Sequence, residues 1–307
     1  MFSAAKDVDP GVWYSHSGER IGHYTIGDKK SGVAWSIDCD WSTTKVCCAS
    51  SEALYLWDAE TGESLATVDT KNAARSCSFG YSGNVILFTT DNTMGFDTRL
   101  CIIDIRDPRQ LEKLENAAYL HAIEKTGSNP KVTCSLWGPV DKTFITGNDN
   151  GNLTQWDARV PGEELVTKKA HAKAVTDMQS SADLTLFITS SKDQTAKLFD
   201  IDSLDELKTY KTDRPMNSAA ISPIREHVVV GGGQEAMEVT TGSAQGKFEA
   251  RFFHMIYEEE FASVKGHFGP INTLAFHPDG RGYASGGEDG YVRVHRFDPE
   301  YFEYNAD

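Results

Sequence analysis

Three observations in the sequence predict an all-β fold, a seven-bladed β-propeller. A strand ending with a large penultimate residue recurs seven times, turn-forming pairs separate the short apolar runs, and a short polar residue stands six positions ahead of several of the endings. Repeats of about 40 to 45 residues, each folding into a few short antiparallel strands, are how propeller blades are written in sequence.

The most legible copy spans 266–298. After Gly266-His267, the turn His277-Pro278-Asp279-Gly280 places Pro second and Gly fourth, as a type I turn prefers, and Asp289-Gly290 offers the positive φ angles of a two-residue hairpin. The runs 271–276, 283–287 and 291–298 are then three strands of one WD-type unit. The markers Trp13, Trp57, Ile103, Trp156, Phe199, Phe253 and His295 lie 44, 46, 53, 43, 54 and 42 residues apart, which gives seven blades. The two longest gaps are assigned to insertions, with 92–99 lengthening blade 3 and 234–247 lengthening blade 6; loops of this kind often carry specificity. Residues 111–125 are rich in helix formers, yet the repeat spacing assigns 117–123 to the outer strand of blade 3, since tertiary context overrides propensity.

Asp7, Asn150, Asp193 and Asp289 each stand six residues before a marker. A short polar side chain in such a turn can bond the His that opens the blade. Blade 5 is therefore expected to join His171, Asp193 and Ser190 or Ser191. Blade 7 is expected to join His267, Asp289 and Ser285, with His295 in place of the closing aromatic. Gly27-Asp28 and Ser51 replace the corresponding residues of blade 2, which is expected to lack the network.

The chain has 307 residues, 39% of them hydrophobic and 24% charged, and is read as one propeller domain over 1–307 with a short acidic tail at about 299–307. A net charge of −15 repels a phosphate backbone, so no direct nucleic-acid partner is expected. No apolar run is long enough to cross a membrane and the N-terminus has no signal-peptide core, so a cytoplasmic address is expected. Cys39, Cys47, Cys48, Cys77, Cys101 and Cys134 contain no C-x-x-C pair and read as buried thiols.

The recurring Ser, His and Asp invite a hydrolase reading. No G-x-S-x-G elbow accompanies them, and a set repeated blade after blade is better explained as structural bonding, so no enzyme is expected. His254, His267, His277 and His295 occupy four different roles in the repeat, which argues against convergence on a metal. Gly231-Gly232-Gly233 is not followed by the Lys-Ser/Thr of a phosphate loop and reads as a tight backbone passage. No cofactor is expected.

Several runs go beyond what a blade dictates: Trp13-Tyr14-Ser15 with Gly18-Glu19-Arg20, residues 191–200, Gly231-Gly232-Gly233-Gln234-Glu235-Ala236-Met237, residues 246–254, and Glu258-Glu259-Glu260-Phe261 leading into the 266–298 unit. In these the chain resembles WD-repeat proteins and, far more closely, the subunit i family of eukaryotic translation initiation factor 3. The resemblance covers essentially the whole chain. It implies a non-catalytic scaffold that binds subunit b through its C-terminal helix, and subunit g, and that supports assembly of the initiation complex on the small ribosomal subunit. It also implies that the subunit b helix lies along blades 5 and 6. Lys208, Tyr210, Asp213, Arg214 and Met216 have the mixture such an edge needs, with Asp213 facing a basic residue and Tyr210 or Met216 as apolar anchor. The alternative is a reader of peptides or modified residues that uses the central channel.

Family members carry upstream residues that complete the last blade and begin the first, about 25 of them by the repeat length. Blade 7 is therefore expected to have three strands and blade 1 about two. Either a gap or a tail strand around Tyr301 to Tyr304 would stand in for the missing strand.

Overall fold

The computed structural model describes residues 1–6, 9–26, 33–92, 97–123, 130–233 and 248–303. Strands dominate, arranged as seven antiparallel sheets in which each strand pairs with its neighbour in sequence. They are the seven blades of a WD-repeat propeller. Two compact units divide them: Met1–Ala170 holds blades 1 to 4 and His171–Asp307 holds blades 5 to 7.

Six of the seven marker residues fall in the third strand of their blade where the first strand is counted as innermost: Trp57 in Ala53–Asp58, Ile103 in Arg99–Asp104, Trp156 in Asn152–Asp157, Phe199 in Thr195–Asp200, Phe253 in Glu249–His254 and His295 in Val292–Arg296. Trp13 closes Gly11–Trp13 in blade 1. These strands alternate so that one set of side chains meets the next sheet. In the first unit, Tyr24, Cys48 and Trp57 fill the layer between blades 1 and 2, and Leu56, Cys77 and Phe88 the layer between blades 2 and 3. In the second unit, Leu198, Tyr210 and Val230 fill the layer between blades 5 and 6. Phe252, Leu274 and Tyr283 do the same between blades 6 and 7. Each such side chain contributes about 1.5–3 kcal/mol when fully buried, so these layers are the main force holding each unit together.

Among the described residues, blades 2 to 6 have four strands and blades 1 and 7 three. Blade 1 exceeds the expected two because Phe2–Ser3 forms an extra short strand, with Phe2 opposite Val12 and Ser3 opposite Gly11. Trp13 and Met1 exchange backbone hydrogen bonds of 2.9 Å beside it. Of the two alternatives, a gap or a tail strand, the strand does not form among the described residues: Pro299–Glu303 is a short helix, and Tyr304 lies outside the described residues. Pro fits the first turn of a helix because its missing N–H would have had no partner there. Phe297 stacks on Tyr301 with ring centroids 4.0 Å apart, and the Tyr301 hydroxyl lies 2.8 Å from His227 Nδ1. Aromatic contacts and this hydrogen bond thus dock Pro299–Glu303 against His227 of blade 6.

The outer strand of blade 3 is Tyr119–Ala122; among the described residues of the helix-prone run 111–125 only its start is helical, Leu111 and Glu112 ending the helix Pro108–Glu112, capped by Asp107, and Leu114–Asn116 forming one 3-10 turn. The insertion residues 93–96 and 234–247, together with Asp7, Gly27 and Asp28, lie outside the described residues. Asp289-Gly290 does not make the expected two-residue hairpin: only Gly290 takes a positive φ, of 78°. The longer turn leaves Asp289 free to aim its carboxylate inward. Of the six free cysteines, Cys39 is only partly buried and the other five are fully so.

Candidate functional site

The strand register of each blade brings three chain-distant positions together. In blade 5, His171 Nδ1 lies 3.1 Å from Asp193 Oδ2 and Nε2 lies 2.7 Å from Thr189 Oγ1. An ionised carboxylate only accepts, so Nδ1–H donates to Asp193 and Nε2 accepts from the Thr189 hydroxyl. Asp193 also accepts the Ala172 backbone N–H at 2.9 Å. Burial works against the charge on Asp193, but the Thr195 hydroxyl and the Ala172 N–H outweigh it and hold the carboxyl below its ordinary range. Burial likewise pushes the His171 pKa down, against the pull of Asp193.

Blade 7 repeats the arrangement. His267 Nδ1 lies 3.0 Å from Asp289 Oδ1 and Nε2 lies 2.8 Å from Ser285 Oγ. Arg293 adds an ion pair of 2.9 Å to Asp289. Burial would raise the Asp289 pKa, but the Phe268 N–H and His267 bring it to about 2. His295 stacks on Tyr283, with centroids 4.6 Å apart, and burial lowers its pKa.

Thr189 takes the place that the sequence assigned to Ser190 or Ser191. Ser190 instead shares a 2.8 Å hydrogen bond with Thr176, and Ser191 Oγ accepts the Asp193 N–H. The signal that finds Thr189 is its offset: it stands ten residues before Phe199, as Ser285 stands before His295 and Thr146 before Trp156. In blade 4 that pair is directly bonded, Trp156 Nε1 donating to Thr146 Oγ1 at 2.9 Å. All three hydroxyls are buried. A buried hydroxyl can hold strands in register but is out of reach of a substrate.

Blade 6 carries a different solution. Arg251 stands two residues before its marker, where blade 7 has Arg293, and reaches Asp213 at 2.6 Å. Arg214 reaches the same carboxylate at 3.2 Å. Asp213 is half-exposed; what burial it has opposes its charge, and Arg251 and Arg214 outweigh that and hold its pKa down. Lys208 pairs with Glu258 at 3.3 Å. Tyr210 and Met216, the expected apolar anchors, are core residues: Tyr210 is fully buried with its hydroxyl on the Met255 carbonyl at 2.8 Å, and Met216 is 4% exposed. Both face the layer between blades 5 and 6, so neither can anchor a partner. Apolar surface nearby comes from Leu207, Ile256 and Tyr257, all exposed.

The family model described as EIF3I matches residues 1–307. Curated relatives named eukaryotic translation initiation factor 3 subunit I are 54% identical in Nematostella vectensis, over 99% of this chain and 92% of the relative. Identity is 53% in Danio rerio, over 100% and 92%, and 50% in Homo sapiens, over 99% and 91%. The chain belongs to the translation initiation factor 3 subunit I family.

In this subunit I family member the remaining sequence signals take structural positions. At Gly231 an added Cβ would lie 2.7 Å from Leu274 Cδ1, and at Gly232 it would collide with the Pro215 carbonyl. Close backbone packing explains both glycines. His254 Nδ1 accepts the Ile256 N–H at 3.2 Å, and His277 lies 2.7 Å from Asp279. Among the described residues no group of three or more His, Cys, Asp or Glu side chains is placed to hold a metal ion, and no helix is long and apolar enough to cross a membrane.

Proposed function

We propose that the chain is a non-catalytic scaffold subunit of translation initiation factor 3, presenting blade edges to other subunits and supporting assembly of the initiation complex on the small ribosomal subunit. The observation that carries this reading is the family match, which runs through all seven blades. The burial of each Ser or Thr bonded to His in blades 5 and 7 supports a structural part for these groups.

The partner proposed for the blade 5 and 6 edge is the basic C-terminal helix of subunit b, with subunit g as a second partner. Asp213, with its side chain 57% exposed, supplies the carboxylate, and Leu207, Ile256 and Tyr257 supply the apolar contact that Tyr210 and Met216 do not. A helix laying basic and apolar side chains along such an edge uses a common mode of peptide recognition.

Fluorescence anisotropy with a labelled peptide from the C-terminal region of subunit b tests both levels. Asp213→Asn is the informative change, because a Lys at this position would also repel Arg251 and Arg214. Weakening of about tenfold is expected for Asp213→Asn and for Tyr257→Ser. Binding unchanged by both would remove the edge assignment, and no binding by the parent chain would remove subunit b as partner.

A further inference from the structure

Three large side chains on the turns joining the first and second strands of blades 2, 3 and 4 stand in solvent. Trp41 is 68% exposed, Tyr81 56% and Val140 65%. The Trp41 and Tyr81 rings meet edge to face with centroids 5.7 Å apart. Val140 adopts φ 57° and ψ 32°, and Asp141 follows with φ 54°. This is left-handed backbone, a genuine outlier for a β-branched residue.

The strained turn fixes its neighbour. The Asp141 carboxylate accepts the backbone N–H of Tyr81 and that of Ser82, the latter at 2.9 Å. Gly80 makes the approach possible, since a Cβ there would lie 2.7 Å from Asp141 Oδ1. Tyr81 is thereby held beside Trp41. Strain kept in a turn whose own apolar side chain stays in water brings no packing gain, and such strain gathers at binding sites.

We propose that this patch docks a basic segment of a partner protein, whose Arg or Lys side chains lie over Trp41 and Tyr81. Charge selects the occupant. Each of these turns is bonded to the turn between the third and fourth strands of its own blade: the Ala59 N–H donates to Thr44 O at 2.8 Å, Ile105 to Asn84 at 2.9 Å and Ala158 to Lys142 at 2.9 Å. In those outer turns Arg106, Arg109 and Arg159 are already paired with Asp104, Asp107 and Asp157, whereas Glu60 and Glu63 stand exposed. Lys45 and Lys142 are the other cations of these six turns; residues 40–45, 58–63, 80–84, 104–109, 138–142 and 157–163 together carry nine Asp and Glu against five Lys and Arg, so carboxylates are in excess. Aromatic faces beside excess carboxylate favour guanidinium and ammonium groups. A second copy of the chain would bring the same net charge of −15, and nucleic acid or anionic lipid is repelled in the same way.

The test titrates the full chain into a fluorescein-labelled Arg-Leu repeat peptide, with a Glu-Leu repeat as control. The chain is expected to bind the basic peptide alone, and Trp41→Ser with Tyr81→Ser to weaken binding at least about 30-fold without lowering Tm, since both side chains are exposed. Trp41→Arg, which repels the peptide without opening the turn, should give a comparable loss. Equal binding by the double variant, equal binding of the acidic peptide, or no binding by the parent overturns the proposal. So does sedimentation showing a dimer that the double variant dissolves, which assigns the patch to a second copy.

Discussion

Burial holds His227 neutral well below the pH at which a free imidazole gains its proton, and the nearby charges of His254 and Arg225 push the same way, to a pKa of about 4. In the neutral ring Nδ1 can accept from the Tyr301 hydroxyl, 2.8 Å away, so the tail helix is docked on an uncharged acceptor. The unfolded chain returns this histidine to a pKa of about 6.5. Between those values the unfolded state binds a proton that the folded state refuses. The stabilisation is therefore complete above about pH 6.5 and is lost as pH falls toward 4. NMR titration of the His227 ring in the folded chain should show no protonation at pH 5.5, and His227→Phe should make Tm less sensitive to pH between 7 and 5. A ring that titrates near 6.5 would contradict both the burial and the docking. This residue was not legible in the sequence, because its environment is made by Phe261 and Tyr301, far away in the chain. His171 and His267 were legible, because their partners recur at fixed offsets from the blade marker.

At the scale of single elements, strands were easier to read than turns and edges. A strand is set by alternation over about six residues, and the marker period fixed each third strand to within a residue or two. Tyr210 shows the limit. Alternation places it on one face of Glu206–Lys211, but which face meets blade 6 is decided by how the sheets stack, and that put Tyr210 and Met216 in the core and left Asp213 outside. The turn Pro139–Asp141 shows another limit, since nothing in Pro-Val-Asp announces left-handed backbone at Val140. Relief of that strain gives a direct prediction. Val140→Gly removes a Cβ from a conformation that glycine adopts freely, at the cost of greater freedom in the unfolded chain. The net gain should be about 1 kcal/mol, or about 2 °C in Tm. Asp141→Ala keeps the turn but removes the acceptor for Tyr81 and Ser82, and should lower Tm. If Val140→Gly lowers Tm as well, the left-handed turn is not strained, and the case for the Trp41 patch loses one of its supports.

For the whole molecule the decisive quantity is charge. A net −15 with a pI near 5.0 gives the chain a long-range field that draws basic partners in before any contact forms. The two proposed surfaces differ in place and in apolar residues but share this approach step. The field acts on encounter, and short-range contacts act on residence, so salt should separate them. Raising NaCl from about 50 to 500 mM shortens the Debye length severalfold. The association rate constant of a basic peptide should then fall by about tenfold while its dissociation rate changes little. Bringing the pH toward 5.0 should remove the steering too, because the chain then carries almost no net charge. Stopped-flow fluorescence yields both rate constants. If the salt dependence sits instead in dissociation, the ion pairs formed in the complex dominate over the field. Asp213, with two arginines of its own chain to choose from, would then be competing with them for the partner's cation, and Arg251→Met should tighten binding where steering predicts it neutral.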